Sequence, residues 1–217
     1  MHLAKAAAPG FYLATGPSFL PGWALSALAP ALISGERVFW VDAGNSFAAY
    51  HLGRTARSLG ADPREVLSRI LFARPFTVFQ LEAMICQKLP AAVGRELVVL
   101  SDPLALFCHE ELSPAVCDAW RVFRRVLEGI RCLHVPLLVL AVARKAAAAQ
   151  KSAREHPRYM RELLREAKAA ANLESFGGFW RLTDRAFSRH AGSLKTASLG
   201  LAQRPRGGEA LRGEHLA

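Results

Sequence analysis

Gly35-Glu36-Arg37-Val38-Phe39-Trp40-Val41-Asp42-Ala43-Gly44-Asn45-Ser46-Phe47 is an apolar strand pattern closed by an acid and followed by turn formers. The run from Val38 to Val41 is too short for a helix and lacks the alternation of a half-buried strand. It reads as a strand covered on both faces. The pattern recurs at Leu97-Val98-Val99-Leu100-Ser101-Asp102. An acid at the end of such a strand is where nucleotide-binding α/β folds keep magnesium-holding or catalytic groups. A phosphate-binding loop belongs upstream, yet that place reads Gly16-Pro17-Ser18-Phe19-Leu20-Pro21-Gly22-Trp23, and no Gly-Lys-Ser/Thr occurs.

Outward from these two strands the chain alternates. Phe11–Thr15 is a first strand, followed by the Gly16–Gly22 turn and an apolar helix over Trp23–Ser34, interrupted at Pro30. Asn45 or Ser46 is placed to cap a helix through Leu59, and Gly60 to end it. Asp62 with Pro63 opens a short helix. Ile70–Ala73 is the third strand, Thr77–Leu89 a helix, Glu96–Ser101 the fourth strand, Pro114–Cys132 a long helix and Leu137–Ala143 the fifth strand. Uniformly apolar strands between helices predict an α/β fold, a doubly wound and mostly parallel sheet. Beyond it Arg158–Ala171 reads as a basic helical stretch, and Phe176–Thr183 as an edge strand. The expected organisation is therefore a core over 1–145, a basic helical extension over 146–190 and a disordered tail over 191–217.

Composition sets bounds. A chain of 217 residues with 52% apolar content suits one domain and a tail. No apolar run approaches membrane-spanning length, so no membrane partner and a cytoplasmic location are expected. Cys86, Cys108, Cys117 and Cys132 show no C-x-x-C spacing. They read as reduced, buried thiols, and no metal centre is expected. The net charge of +10 is uneven. Residues 1–140 carry 13 Lys/Arg against 11 Asp/Glu, and residues 141–217 carry 15 against 7. Such asymmetry suits a polyanionic partner.

Taken together, these segments resemble the RecA-like recombinase superfamily, on its RadA side. The carrying residues are Gly35–Phe47, then Leu52-Gly53-Arg54-Thr55-Ala56 with Leu59-Gly60, then Ile70-Leu71-Phe72-Ala73-Arg74-Pro75-Phe76-Thr77 with Gln80. Leu97–Asp102 followed by Ala105-Leu106-Phe107 resembles the Walker B segment. The resemblance spans about residues 11–145 and rests on order and spacing. It implies a P-loop NTPase fold and places a nucleotide site at Gly16, Ser18, Gly22, Asp42 and Asp102. In that family the loop Lys neutralises terminal phosphates, the adjacent hydroxyl binds magnesium, and a Glu two residues after the Asp42 position polarises water. This chain has Gly22, Trp23 or Ala24 where Lys and Ser/Thr belong, and Gly44 in place of Glu. Losing even one oriented contact costs about 10²–10³ in rate. No catalytic residue is therefore assigned; ATP and Mg are expected to bind weakly or not at all.

Each candidate keeps a structural alternative. Asp42 either belongs to a nucleotide site or caps the helix through Leu59, and Asp102 either holds magnesium or caps the Pro103–Phe107 turn. Arg74 reaches a phosphate, an acidic partner or solvent. Cys108-His109-Glu110-Glu111 are sequence neighbours in a loop, which is not how catalytic triads are built. Phe11-Tyr12-Leu13-Ala14 matches the recombinase Phe-x-x-Ala, but lies inside the first strand and reads as core. The strongest binding candidate is Arg144, Lys145, Lys151, Arg154, Arg158, Arg161, Arg165 and Lys168. In the resembled family the loop after the fifth strand faces DNA. Arg154, Arg158, Arg161 and Arg165, spaced 4, 3 and 4, share one helix face. A solvated face with Glu155, Glu162 and Glu166 is the other reading of that helix. The expectation is a non-catalytic recombinase paralogue that binds DNA and another RecA-like or repair protein. Two alternatives stay open: an ATP-binding protein that uses nucleotide structurally or hydrolyses it with a partner's Lys, and a protein scaffold without DNA binding.

Overall fold

Parity along the strands sorts the core into two layers. In β2 (Val38–Asp42), Val38 and Trp40 pack on one face of the sheet, while Phe39 and Val41 face the other. In β4 (Leu97–Ser101), Leu97 and Val99 divide from Val98 and Leu100 in the same way. Side chains of a strand alternate between faces, so apolar residues at every position demand cover on both. The helices supply it. The computed structural model describes residues 8–108, 116–143, 151–176, 179–184 and 202–203.

In chain order the elements begin with β1 (Gly10–Gly16), α1 (Leu20–Ile33), β2, α2 (Ala49–Ser58), α3 (Pro63–Ser68) and β3 (Ile70–Ala73). Then come α4 (Val78–Ala83), a π-helical turn (Met84–Lys88), α5 (Leu89–Ala92) and β4. A short α6 (Leu104–Phe107), α7 (Val116–Cys132), β5 (Pro136–Val142), α8 (Lys151–Glu166), β6 (Ala169–Phe176), β7 (Phe179–Asp184) and β8 (Ala202–Gln203) complete it. The sheet order is β3-β2-β4-β5-β1-β6-β7-β8. The pairs from β3 to β6 are parallel, and β7 and β8 are antiparallel. α1, α2 and α3 cover one face; α4, α7 and α8 cover the other. This is the expected doubly wound, mostly parallel α/β sheet.

Several local expectations change. The apolar helix starts at Leu20, earlier than Trp23, and runs through Pro30 to Ile33. Asp62 caps α3 as expected, accepting the Arg64 N–H at 2.9 Å. The helix expected from Asn45 or Ser46 begins only at Ala49, and neither residue caps it. Ala169–Ala171, expected to be helical, open strand β6, which pairs with β1 from Tyr12↔Ala169 to Thr15↔Asn172. Parallel pairing on the free edge of β1 overrides the high helix propensity of three alanines. The sheet thus continues past the boundary expected at residue 145. Tyr159 and Leu163 of α8 are buried in the same core as Phe107 and Phe123. The strand expected at Phe176–Thr183 corresponds to β7, paired with β6; it is not the edge, because β8 pairs with its other side, and Phe176 belongs to β6. Residues 204–217 lie outside the described residues.

The thiols depart from expectation as well. Cys86 and Cys132 are exposed and Cys108 is partly buried; none of the three is in a disulfide. Cys86 sits on the π-helical turn against α7, its Sγ 2.7 Å from where a Cβ on Gly129 would stand. Partial burial pushes the Cys86 thiol up, and the Glu82 carboxylate adds to it.

Candidate functional site

Asp42 ends β2 fully buried, and its carboxylate is engaged from three directions. Its oxygens accept the Ser46 N–H at 2.9 and 3.1 Å, the Ser46 hydroxyl at 3.1 Å and the Phe47 N–H at 3.1 Å. Arg74 Nη2 donates to Oδ2 at 2.9 Å. The parallel register Val41↔Ala73 sets Arg74 beside Asp42, one residue further along both strands. A buried carboxylate needs a counter-charge and donors for its lone pairs, and this one has both. Rather than capping α2, Asp42 holds the 43–48 turn that precedes it. The turn is fastened a second time where the Ser46 and Ser101 hydroxyls meet at 2.9 Å. Arg74 also lies over the Phe72 ring at 5.2 Å.

Asp102 follows β4 in a left-handed backbone conformation, φ 45°, which side chains rarely adopt. Its N–H donates to the Leu140 carbonyl at 2.7 Å, and its Oδ1 accepts the Val142 N–H at 3.4 Å. The carboxylate therefore leans onto the end of β5. Its Cβ stands 2.6 Å from the position a Cβ on Gly44 would take. Gly44 is thus a steric necessity: Asp102 occupies the space that any residue-44 side chain would enter. Asn45 beside it is also left-handed, φ 51°. Asn and Asp tolerate this region better than other residues, at a cost of about 1–3 kcal/mol each.

The turn between β1 and α1 consists of only Pro17, Ser18 and Phe19. The Leu20 N–H is taken by the Pro17 carbonyl at 2.9 Å, Pro21 has none to offer, and the Trp23 N–H already bonds Phe19 at 3.0 Å. Gly22 lies inside α1, with the nearest side-chain atom, His51 Cδ2, 3.7 Å from its would-be Cβ. Gly16 has a packing reason of its own: a Cβ there would stand 2.9 Å from Leu173 Cβ on β6. The two glycines expected to frame a phosphate loop therefore sit in a strand end and a helix.

No protein-family model matches the chain, and no curated protein does. Among solved structures, one described as the RadB recombinase superimposes with a TM-score of 0.56 over 84% of either chain, at 22% identity. The chain has the RecA-like recombinase fold. On that scaffold Asp42, Asp102 and the β1–α1 turn all lie at the C-terminal edge of the parallel strands, where open α/β sheets bind ligands. The cluster there holds no lysine among the described residues. Its one arginine, Arg74, is committed to Asp42.

The second candidate region is the basic helix α8. Arg158, Arg161 and Arg165 of the face expected from the 4, 3, 4 spacing are exposed, as is Lys168 just past the helix. Lys151 and Arg154 lie on the same helix; Arg144 and Lys145 lie outside the described residues, as do residues 109–111 of the Cys108 loop. The helix is fastened to α7 by Arg131, whose Nη2 and Nε both reach Glu166 Oε2, the Nε bond being 2.7 Å long. That hydrogen bond holds the Glu166 carboxyl below its ordinary range and raises the Arg131 guanidinium. Arg158 lies over the Trp120 ring of α7 at 3.7 Å. Trp120 and the arginines of α7 escaped the sequence-based expectation because only residues after 140 carried a charge excess. Their signal was the run of Arg121, Arg124, Arg125 and Arg131 against only Asp118 and Glu128 on an amphipathic helix. Phe11, Leu13 and Ala14 are buried in β1, so the Phe-x-x-Ala match is core.

Proposed function

We propose that this chain is a non-catalytic RecA-like accessory factor in DNA recombination or repair, binding DNA through α8 and a protein partner elsewhere. The observation that carries it is the engagement of Asp42. Its carboxylate is spent on Arg74, Ser46 and Phe47, and the turn that would cradle phosphates is three residues long without a lysine. A magnesium ion in such a site leans on carboxylates and on substrate phosphates together; Asp42 is taken by its own partners, and Asp102 leans onto the Val142 N–H. The RecA-like fold supports a place in recombination or repair by analogy of architecture.

The partner side rests on the open edge of the sheet. β3 is the terminal strand, and Phe72, Phe76 and Phe79 around it are 45, 63 and 53% exposed. An unprotected apolar edge strand is a template for another chain.

The test is nucleotide handling by the purified protein. Turnover is expected at background, and Mg-ATP at millimolar concentration is expected to leave the melting temperature unchanged. Turnover near 1 s⁻¹, abolished by Asp102→Ala, would overturn the non-catalytic reading. A micromolar dissociation constant by calorimetry without turnover would favour nucleotide as a structural ligand.

A further inference from the structure

Helices α7 and α8 lie side by side, and their seam is layered by charge. Glu162 and Glu166 are 18 and 14% exposed, beneath Arg165 and Arg131 at 62 and 52%. The acids lie low and the guanidiniums outermost, so solvent meets arginine. Arg124 and Arg161 are exposed and have no acidic partner within 4 Å among the described residues. Asp118, paired with Arg121 at 3.4 Å, and the exposed Glu128 are the acids that remain near the surface of α7.

At the head of this seam Trp120 packs between the core and Arg158. Phe123 is buried and stacks on Trp120, rings 5.7 Å apart and 29° from parallel. Arg158 covers the Trp120 ring with its guanidinium carbon 3.7 Å from the centroid. At that distance the guanidinium is in contact with the indole. Arg158 is exposed, so this contact lies at the surface. Guanidinium planes stack on nucleobases as they do on indole rings, and a pre-oriented plane loses little entropy in doing so.

We propose that Arg158, laid on Trp120, is a stacking platform for an unpaired base of single-stranded nucleic acid, with the strand's phosphates following Arg121, Arg124 and Arg161. This rests on the nucleic-acid reading of α8 and names its ligand. Arg124 lies one turn from Trp120, and Arg161 one turn from Arg158, so both are within a nucleotide's reach of the platform. A duplex hides its base faces and gains nothing from such a plane. Tyr159, an aromatic of α8 that could otherwise stack, is buried.

The experiment compares a fluorescein-labelled oligothymidylate with a labelled blunt-ended duplex by anisotropy across a salt series. Arg158→Lys keeps the charge and removes the plane. It is expected to weaken oligothymidylate binding about tenfold, the scale of one base stack, with an unchanged salt slope and unchanged duplex binding. Arg124→Gln/Arg161→Gln is expected to flatten the slope on both probes. If Arg158→Lys binds oligothymidylate as the wild type does while the double variant flattens the slope, the stacking platform is wrong and the nucleic-acid reading stands. If the wild type binds neither probe at low salt, both fall.

Discussion

Asp42 shapes the C-terminal edge of the sheet as a buried carboxylate engaged by three donors and an arginine. Its value to the protein is then structural and measurable. Asp42→Asn leaves Arg74 without its counter-charge at a half-buried position, and a stability loss of about 3 kcal/mol is expected in denaturant melts. Arg74→Met should cost a similar amount, and the double variant less than the sum of the two. Strict additivity would mean that the ion pair contributes nothing. The glycines give a sharper contrast. Gly44→Ala meets Asp102 Cβ at 2.6 Å, a contact with no room to relax into. It should destabilise by about 2 kcal/mol. Gly22→Ala meets only ordinary contact with His51, inside a helix, and should stabilise by about 0.5 kcal/mol. A phosphate-loop glycine behaves the other way. A Gly22→Ala variant that unfolds, with Gly44→Ala unchanged, would reverse the roles assigned here.

At the scale of elements, the clamp between α7 and α8 carries a pH signature. The Arg131 hydrogen bond holds the Glu166 carboxyl below its ordinary value in the folded chain. A carboxyl shifted this way stabilises the fold above the ordinary Glu pKa of about 4.3. That contribution is lost as pH falls through the folded value. Glu166→Gln should therefore lower stability slightly at neutral pH and show a shallower loss below pH about 4 than the wild type. Parallel acid-melting curves for the two proteins would remove the clamp from the account. The same region shows where sequence was informative. The uniformly apolar runs of β2, β4 and β5 announced a doubly covered sheet, since nothing else buries consecutive residues on both faces. β6 was hidden because Ala169, Ala170 and Ala171 carry no period; only the open edge of β1 makes them a strand. The Asp42–Arg74 pair was equally hidden. Thirty-one residues lie between its members, and nothing but the parallel register of β2 and β3 brings them together.

For the whole molecule the consequence is a RecA-like fold whose strand-end acids are engaged by its own side chains and whose exposed arginines lie on α7 and α8. Charge placement makes these helices the better candidate for function: residues 141–217 hold 15 Lys/Arg against 7 Asp/Glu, and the arginines described on α8 point to solvent. Binding driven by phosphates releases counterions. Its affinity therefore falls with salt on a log–log slope of roughly −0.7 to −0.9 per contact. Replacing Arg154, Arg158, Arg161 and Arg165 with Gln should leave the fold intact, because Arg158, Arg161 and Arg165 are exposed while Tyr159 and Leu163 supply the buried contacts of α8. The slope should become shallower by about 2 rather than the full value for four contacts, since Arg165 already shares its charge with Glu162 and Glu166. Circular dichroism establishes the fold, and titration of labelled DNA at several salt concentrations gives the slope. A quadruple variant with wild-type affinity and slope would show that α8 is a solvated face. The open β3 edge with Phe72, Phe76 and Phe79 would then be the surface through which this scaffold acts.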